Sequence, residues 1–234
     1  MEIAVLEHDN QTTADKLPSA YYDFAHYVSR ERMTTFWYQL REAFATNPSS
    51  VLEIGVGPKI VAGALRENGI DVRTADINSA LRPDYVLRAQ DLTSRLSDDS
   101  FDLIVCARVL HHVPFQDFER CLEQLWRVTR KSVILTLPVE DLRIYARFRI
   151  TSLRSIGLSL RLPVVLKKTF CKVFPGRFDT EYRRKWKIGS EPAASLKKIE
   201  ALLAAHFNIE KSYGLPEDRG HHIFVLTKRR EESR

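Results

Sequence analysis

Apolar and polar residues recur at helical spacing from about Ser19 to Thr46, with an unusual share of aromatics: Tyr21, Tyr22, Phe24, Tyr27, Phe36, Trp37, Tyr38 and Phe44. Asn47-Pro48-Ser49-Ser50 breaks that pattern, as Pro and small polar residues do between elements. Short apolar runs then alternate with amphipathic stretches. Val51 to Ile54 predicts a strand, Ile60 to Asn68 a short helix ended by Gly69, Asp71 to Asp76 a second strand and Asp84 to Arg88 a third. Phe101 to Ala107 is an apolar run long enough for a strand covered on both sides. Phe115 to Thr129 places Phe118, Cys121, Leu122, Leu125 and Trp126 on one helical face. Ser132 to Leu137 reads as a fifth strand, stopped by Pro138. Strands and helices in alternation predict an α/β, doubly wound, mostly parallel sheet.

The rhythm is interrupted after Pro138 for about fifty residues and resumes with a helix, Glu191 to His206. Phe207 to Tyr213 and His221 to Thr227 then alternate like paired strands, which puts one antiparallel strand near the C-terminus. The expected organisation is one domain over 1–234. It comprises an N-terminal aromatic helical cap at 15–46, a ligand-binding core at 48–138, a basic helical insertion at 139–189 and a closing helix and hairpin at 190–228.

The chemistry concentrates at the end of the first strand. Val51-Leu52-Glu53-Ile54-Gly55-Val56-Gly57 stops at an acid and turns through two glycines, so the backbone can approach a ligand closely. The next strand ends in Asp76, where a carboxylate suits a ribose diol. A dinucleotide fingerprint needs a third glycine at position 60, which is Ile60, and no Gly-Lys-Ser/Thr follows to make a phosphate loop.

The turn Glu53-x-Gly55-x-Gly57 with Asp76 resembles that of class I S-adenosylmethionine-dependent methyltransferases, which implies a Rossmann-like fold. Phe101-Asp102-Leu103-Ile104-Val105-Cys106-Ala107 running into Arg108-Val109-Leu110-His111-His112-Val113-Pro114 is similar to the segment after the fourth strand of that family. The resemblance implies S-adenosyl-L-methionine as cofactor. It places Glu53, Gly55, Gly57 and Asp76 around that molecule, Asp91 and Leu92 near the adenine, and Ala107 as a backbone contributor. Lys59 stands where the family often has another glycine, and as a cation at a helix start it is a candidate partner for the cofactor carboxylate. The aromatic helix, Trp186-Lys187-Ile188-Gly189 and His221-His222-Ile223-Phe224 are also similar to bacterial methyltransferase-domain proteins found with cell-surface polysaccharide genes.

A base is needed only for an acceptor that is protonated at working pH. His111 and His112 stand just past the fourth strand, at the ligand-binding edge. His111 is a candidate base, and His112 reads as a packed histidine. His221 and His222 begin the antiparallel strand on the same rim, as Tyr213 ends its neighbour. Alternation lets one of the two histidines face the site, and His222 is the second candidate.

With 44% hydrophobic and 28% charged residues the chain can bury a core, and Cys106, Cys121 and Cys171 have no metal-ligand spacing. The expectation is a cytoplasmic enzyme, peripheral to a membrane at most, since there is no leader-like start and no apolar run near the ~18 residues of a membrane span. The net charge of +6 is local: residues 141–190 hold thirteen Lys or Arg against three acids. That stretch is a solvated face, a patch for an anionic membrane or lipid-linked substrate, or an RNA surface. Three functions follow: a methyltransferase, O-directed on a small-molecule, saccharide or lipid-linked acceptor; an RNA methyltransferase using the basic segment; or a non-catalytic binding module. The chain lacks the Asn/Asp-Pro-Pro-Tyr/Phe segment of amino-directed nucleic-acid methyltransferases and a Pro-Cys motif.

Overall fold

The computed structural model describes residues 18–140, 186–215 and 220–229, and the backbone of two strands at 143–148 and 156–161. The strands are β1 (Ser50–Ile54), β2 (Asp71–Asp76), β3 (Tyr85–Val86), β4 (Phe101–Ala107), β5 (Thr129–Pro138), β6 (Arg143–Phe148), β7 (Ile156–Arg161), β8 (Phe207–Gly214) and β9 (His221–Lys228). Seven of them form one sheet in the order β3-β2-β1-β4-β5-β9-β8. Pairing is parallel from β3 to β5, and β9 runs antiparallel to both of its neighbours. The strand order reverses between β1 and β4, which is where open α/β sheets bind ligands.

Parallel strands need cover on both faces, and the side-chain alternation shows how it is supplied. The helices are α1 (Phe24–Tyr27), α2 (Arg30–Ala45), α3 (Ile60–Glu67), α4 (Phe118–Val128) and α5 (Leu196–His206). Val51, Leu103, Val105 and Ile134 pack with Tyr38 and Ala43 of α2 and Val61 and Leu65 of α3. Leu52, Ile54, Ile104, Cys106 and Leu135 pack on the other face with Phe118, Leu122 and Leu125 of α4 and Ile199 and Leu203 of α5. Cys106 and Cys121 are buried free thiols, and burial pushes Cys121 up to about 12.

Helix α2 inverts the usual polarity. Thr35, Gln39 and Glu42 lie buried beside Tyr38 and Ala43, while Met33, Trp37 and Phe44 face solvent. Part of the inversion is locally satisfied: Glu42 accepts from Lys211 Nζ at 2.7 Å and Tyr213 Oη at 2.8 Å. The N-terminal segment, expected as a cap, thus splits. Its α2 part is a layer of the sheet sandwich, and residues 15–17 lie outside those described.

The insertion leaves and rejoins the core at one neck. Val139 bridges Ile188, Glu140 N donates to Ile188 O at 2.8 Å, and Ile188 N donates to Pro138 O at 2.9 Å. Lys187 pairs with Glu140 at 3.1 Å. Trp186 is buried, donates Nε1 to Val113 O at 2.9 Å and meets Phe115 and Phe118 edge-on. Arg143 to Arg161, expected to be helical, instead contains the antiparallel pair β6–β7. Its register sets Ile144 opposite Leu160, Ala146 opposite Leu158 and Phe148 opposite Ile156, so an apolar period of two with β-favouring residues prevails over the helical reading. The rest of the expected helical insertion lies outside the described residues, as does Cys171.

Candidate active site

At the end of β1 the backbone turns through Gly55 (φ +81°) and Gly57 (φ +43°), both in the left-handed region. A Cβ on Gly55 would collide with Cγ2 of Val109, so close packing as well as conformation excludes a side chain there. Gly55 N donates to Ala75 O at 2.8 Å, and the next amide, Val56 N, donates to Asp76 Oδ2 at 3.0 Å. Asp76 Oδ1 accepts from Asn78 N at 2.8 Å. The acid at the tip of β2 therefore locks the glycine turn.

Glu53 points from β1 to the start of α3, where its Oε2 accepts from Ala62 N at 3.0 Å. Lys59, the residue before the helix, is left-handed and makes no side-chain cap, so the strand carboxyl does the capping. Burial pushes Glu53 up to about 8, against the Ala62 amide and the Arg66 charge, which pull it down, and with the Asp76 charge, which adds to the rise.

These groups border a cleft of about 330 Å³, within the range of small-molecule sites. Glu53, Gly55, Gly57, Asp76 and Ala107 all line it. Its far walls are Leu87 to Gln90 beyond β3, the stretch Arg108, Val109, His112, Val113 and Pro114 after β4, Asp117 at the start of α4, and Tyr22, Tyr27, Phe36 and Gln39 from the N-terminal helices.

Several expected site residues stand elsewhere. Asp91 pairs with Arg120 at 2.8 Å on the surface and Leu92 is fully buried in the core, while Ala89 and Gln90 reach the cleft wall in their place. Lys59 directs its ammonium to Arg82 O at 3.4 Å, and is not in the lining. His111 and His112 are exchanged in position relative to expectation. They are successive residues of the 3-10 turn Leu110–His112, about 120° apart, and His112 faces the cleft while His111 is buried behind it. His222 lies at the rim, opposite Leu137, but is turned to the α5 side. There its Nε2 is 2.9 Å from Ser212 Oγ, its ring packs on Phe224, and burial lowers its pKa against the influence of Glu200. It is not among the lining residues. The N-terminal aromatics Tyr22, Tyr27 and Phe36 come from the expected cap, whereas Gln39 and Arg108 had no site signal in the sequence beyond their types.

Residues 52–137 match the family model described as a methyltransferase domain. No curated protein sequence matches the chain. Among solved structures, magnesium protoporphyrin IX methyltransferase of Synechocystis PCC 6803 with bound S-adenosylhomocysteine has a TM-score of 0.59 at 15% identity, covering 85% of this chain and 84% of that one. The Burkholderia thailandensis 1,6-didemethyltoxoflavin-N1-methyltransferase has a TM-score of 0.53 at 14% identity, with 89% and 84% covered. The N-methyltransferase NodS of Bradyrhizobium japonicum WM9 has a TM-score of 0.53 at 10% identity, with 88% and 92% covered. At such identities these likenesses are of fold. The strand order and the glycine turn locked by its acid agree with the methyltransferase-domain match over residues 52–137 and with the Rossmann-like fold these structures share.

Proposed function

We propose that the protein transfers the methyl group of S-adenosylmethionine to an oxygen of a small-molecule, saccharide or lipid-linked acceptor. The observation that carries this reading is the cleft between the locked glycine turn and the N-terminal helices. Its residues fit the cofactor: the cradle at Gly55 admits no Cβ, and Asp76 at the tip of β2 suits a ribose. When bound, the cofactor supplies a methyl group on a positively charged sulfur, already activated for attack.

The protein's share is alignment and exclusion of water. The Gly55–Gly57 backbone and Asp76 fix one end of the site, and Tyr22, Tyr27 and Phe36 close it with apolar surface. His112 is the imidazole in position to take a proton from a hydroxyl acceptor. The lack of the Asn/Asp-Pro-Pro-Tyr/Phe segment of amino-directed nucleic-acid methyltransferases counts against a nucleic-acid acceptor. Calorimetric titration with S-adenosylhomocysteine tests the reading, and no binding at millimolar concentration rejects it. Asp76→Ala removes a charge-assisted hydrogen bond and loosens Val56, so its affinity should fall by a factor equivalent to roughly 1.5–3 kcal/mol. Unchanged affinity takes Asp76 out of the site.

A further inference from the structure

Two polar groups in the cleft wall are not used by the fold. Gln39 is 1% exposed, on the inverted face of α2, and its Nε2 has no hydrogen-bond partner. Its companions on that face are provided for: Thr35 Oγ1 donates to Glu31 O at 3.1 Å, and Glu42 is held by Lys211 and Tyr213. The second group is Arg108, the first residue after β4. Its backbone is left-handed (φ 60°), a strained state for a side chain of this size, and its amide is tied to Thr136 O at 2.9 Å. Its Nε is buried without a partner, and no described acid pairs with it. Both residues line the cleft, and α2 packs across β4 and β5. Leaving a buried donor unmet costs free energy that a ligand returns.

We propose that Gln39 and Arg108 form the anion-anchoring part of the acceptor site, so that the methyl acceptor carries a carboxylate or phosphate beside the atom that is methylated. This rests on the methyltransferase reading. A guanidinium and an amide N–H offer donors only on the sides concerned, which matches an anionic oxygen group. The acids of the cleft come from other elements: Glu53 and Asp76 from the tips of β1 and β2, where both already accept backbone amides, and Asp117 from the start of α4. The anion is an anchor and not the nucleophile, because pairing with Arg108 withdraws charge from its oxygens. The neighbouring acceptor hydroxyl gives its proton to His112 and its oxygen forms the new bond to the methyl carbon, while the carbon–sulfur bond breaks and its electron pair stays on sulfur as the neutral thioether.

The test divides a small-molecule and lipid extract on an anion-exchange resin before reaction, then supplies each fraction with full-length protein and methyl-labelled S-adenosylmethionine. Label is expected in material from the retained fraction. Arg108→Met and Gln39→Leu should each lower that transfer roughly 10- to 100-fold with S-adenosylhomocysteine affinity unchanged, and Arg108→Lys should restore part of it. Treating the retained fraction with phosphatase separates phosphate from carboxylate acceptors. Label only in the unretained fraction, label in neither while S-adenosylhomocysteine still binds, or full activity in both variants overturns the proposal. Failure of the wild type to bind S-adenosylhomocysteine overturns instead the reading beneath it.

Discussion

Glu53 has two tasks that pull its carboxyl in opposite directions. Capping Ala62 N favours the charged form, and complete burial beside Asp76 favours the neutral one. Burial wins, raising the group from 4.5 to about 8. The folded state therefore holds this proton more tightly than the unfolded chain. The stability it contributes is fully present below about pH 4.5 and is lost as pH rises through about 8. Glu53→Gln keeps a neutral acceptor for Ala62 at every pH, so the wild type should lose stability relative to the variant between those values and run parallel outside them. Urea unfolding of both at pH 4, 6 and 9 measures the difference; a gap that does not change with pH contradicts the assignment. Gly55, Gly57, Glu53 and Asp76 were legible in the sequence because a turn with no room for a Cβ and a buried strand-end acid are written in residue type. Gln39 was not. With Thr35 and Glu42 it forms a polar helical stripe, and such a stripe ordinarily reads as the solvent face, so only packing reveals that α2 turns it inward.

At the scale of elements, the spacing of apolar runs located β1 to β5, the stripe of α4 and the closing hairpin, since burial on both faces of a parallel sheet leaves continuous apolar strands. Orientation within a short element is harder to read. His111 and His112 could be told apart only once Leu110–His112 proved to be a 3-10 turn, whose successive side chains diverge by about 120°. That turn makes a discriminating pair of variants. His112→Ala should lower methyl transfer to a hydroxyl acceptor by roughly 100-fold or more if its imidazole takes the proton, with little change in stability. His111→Ala should leave transfer near the wild-type rate and lower the unfolding temperature, because it empties a buried position. Steady-state rates and thermal melts of both decide the matter, and equal losses of activity would show that neither imidazole acts as the base. The β6–β7 pair was misread for a related reason: Arg mixed with Ile, Leu and Phe satisfies a helical stripe and a period of two alike, and cross-strand pairing decides between them.

At the scale of the whole molecule, the described groups around the cleft precede the basic segment along the chain. All described residues that line the cleft fall between Tyr22 and Asp117, ahead of the neck at Val139 and Ile188. That neck is closed by the 2.8 Å bond from Glu140 N to Ile188 O, and Trp186 is held from below by Val113 O, Phe115 and Phe118. The chain can therefore be shortened there without separating any strand of the seven-stranded sheet, as loop closure over so short a gap costs little. Replacing 141–185 by a Gly/Ser linker of about four residues should leave S-adenosylhomocysteine affinity within about threefold of the full chain, since the cofactor groups keep their partners. Methyl transfer to the acceptor should fall by about 100-fold or more if the Lys and Arg of the segment take part in holding the acceptor. Calorimetry and labelled transfer on the two proteins separate these terms. Loss of cofactor binding would place the segment in the cofactor site, whereas undiminished transfer would confine the acceptor to the core and leave the excess of Lys and Arg at 141–190 without a part in the reaction.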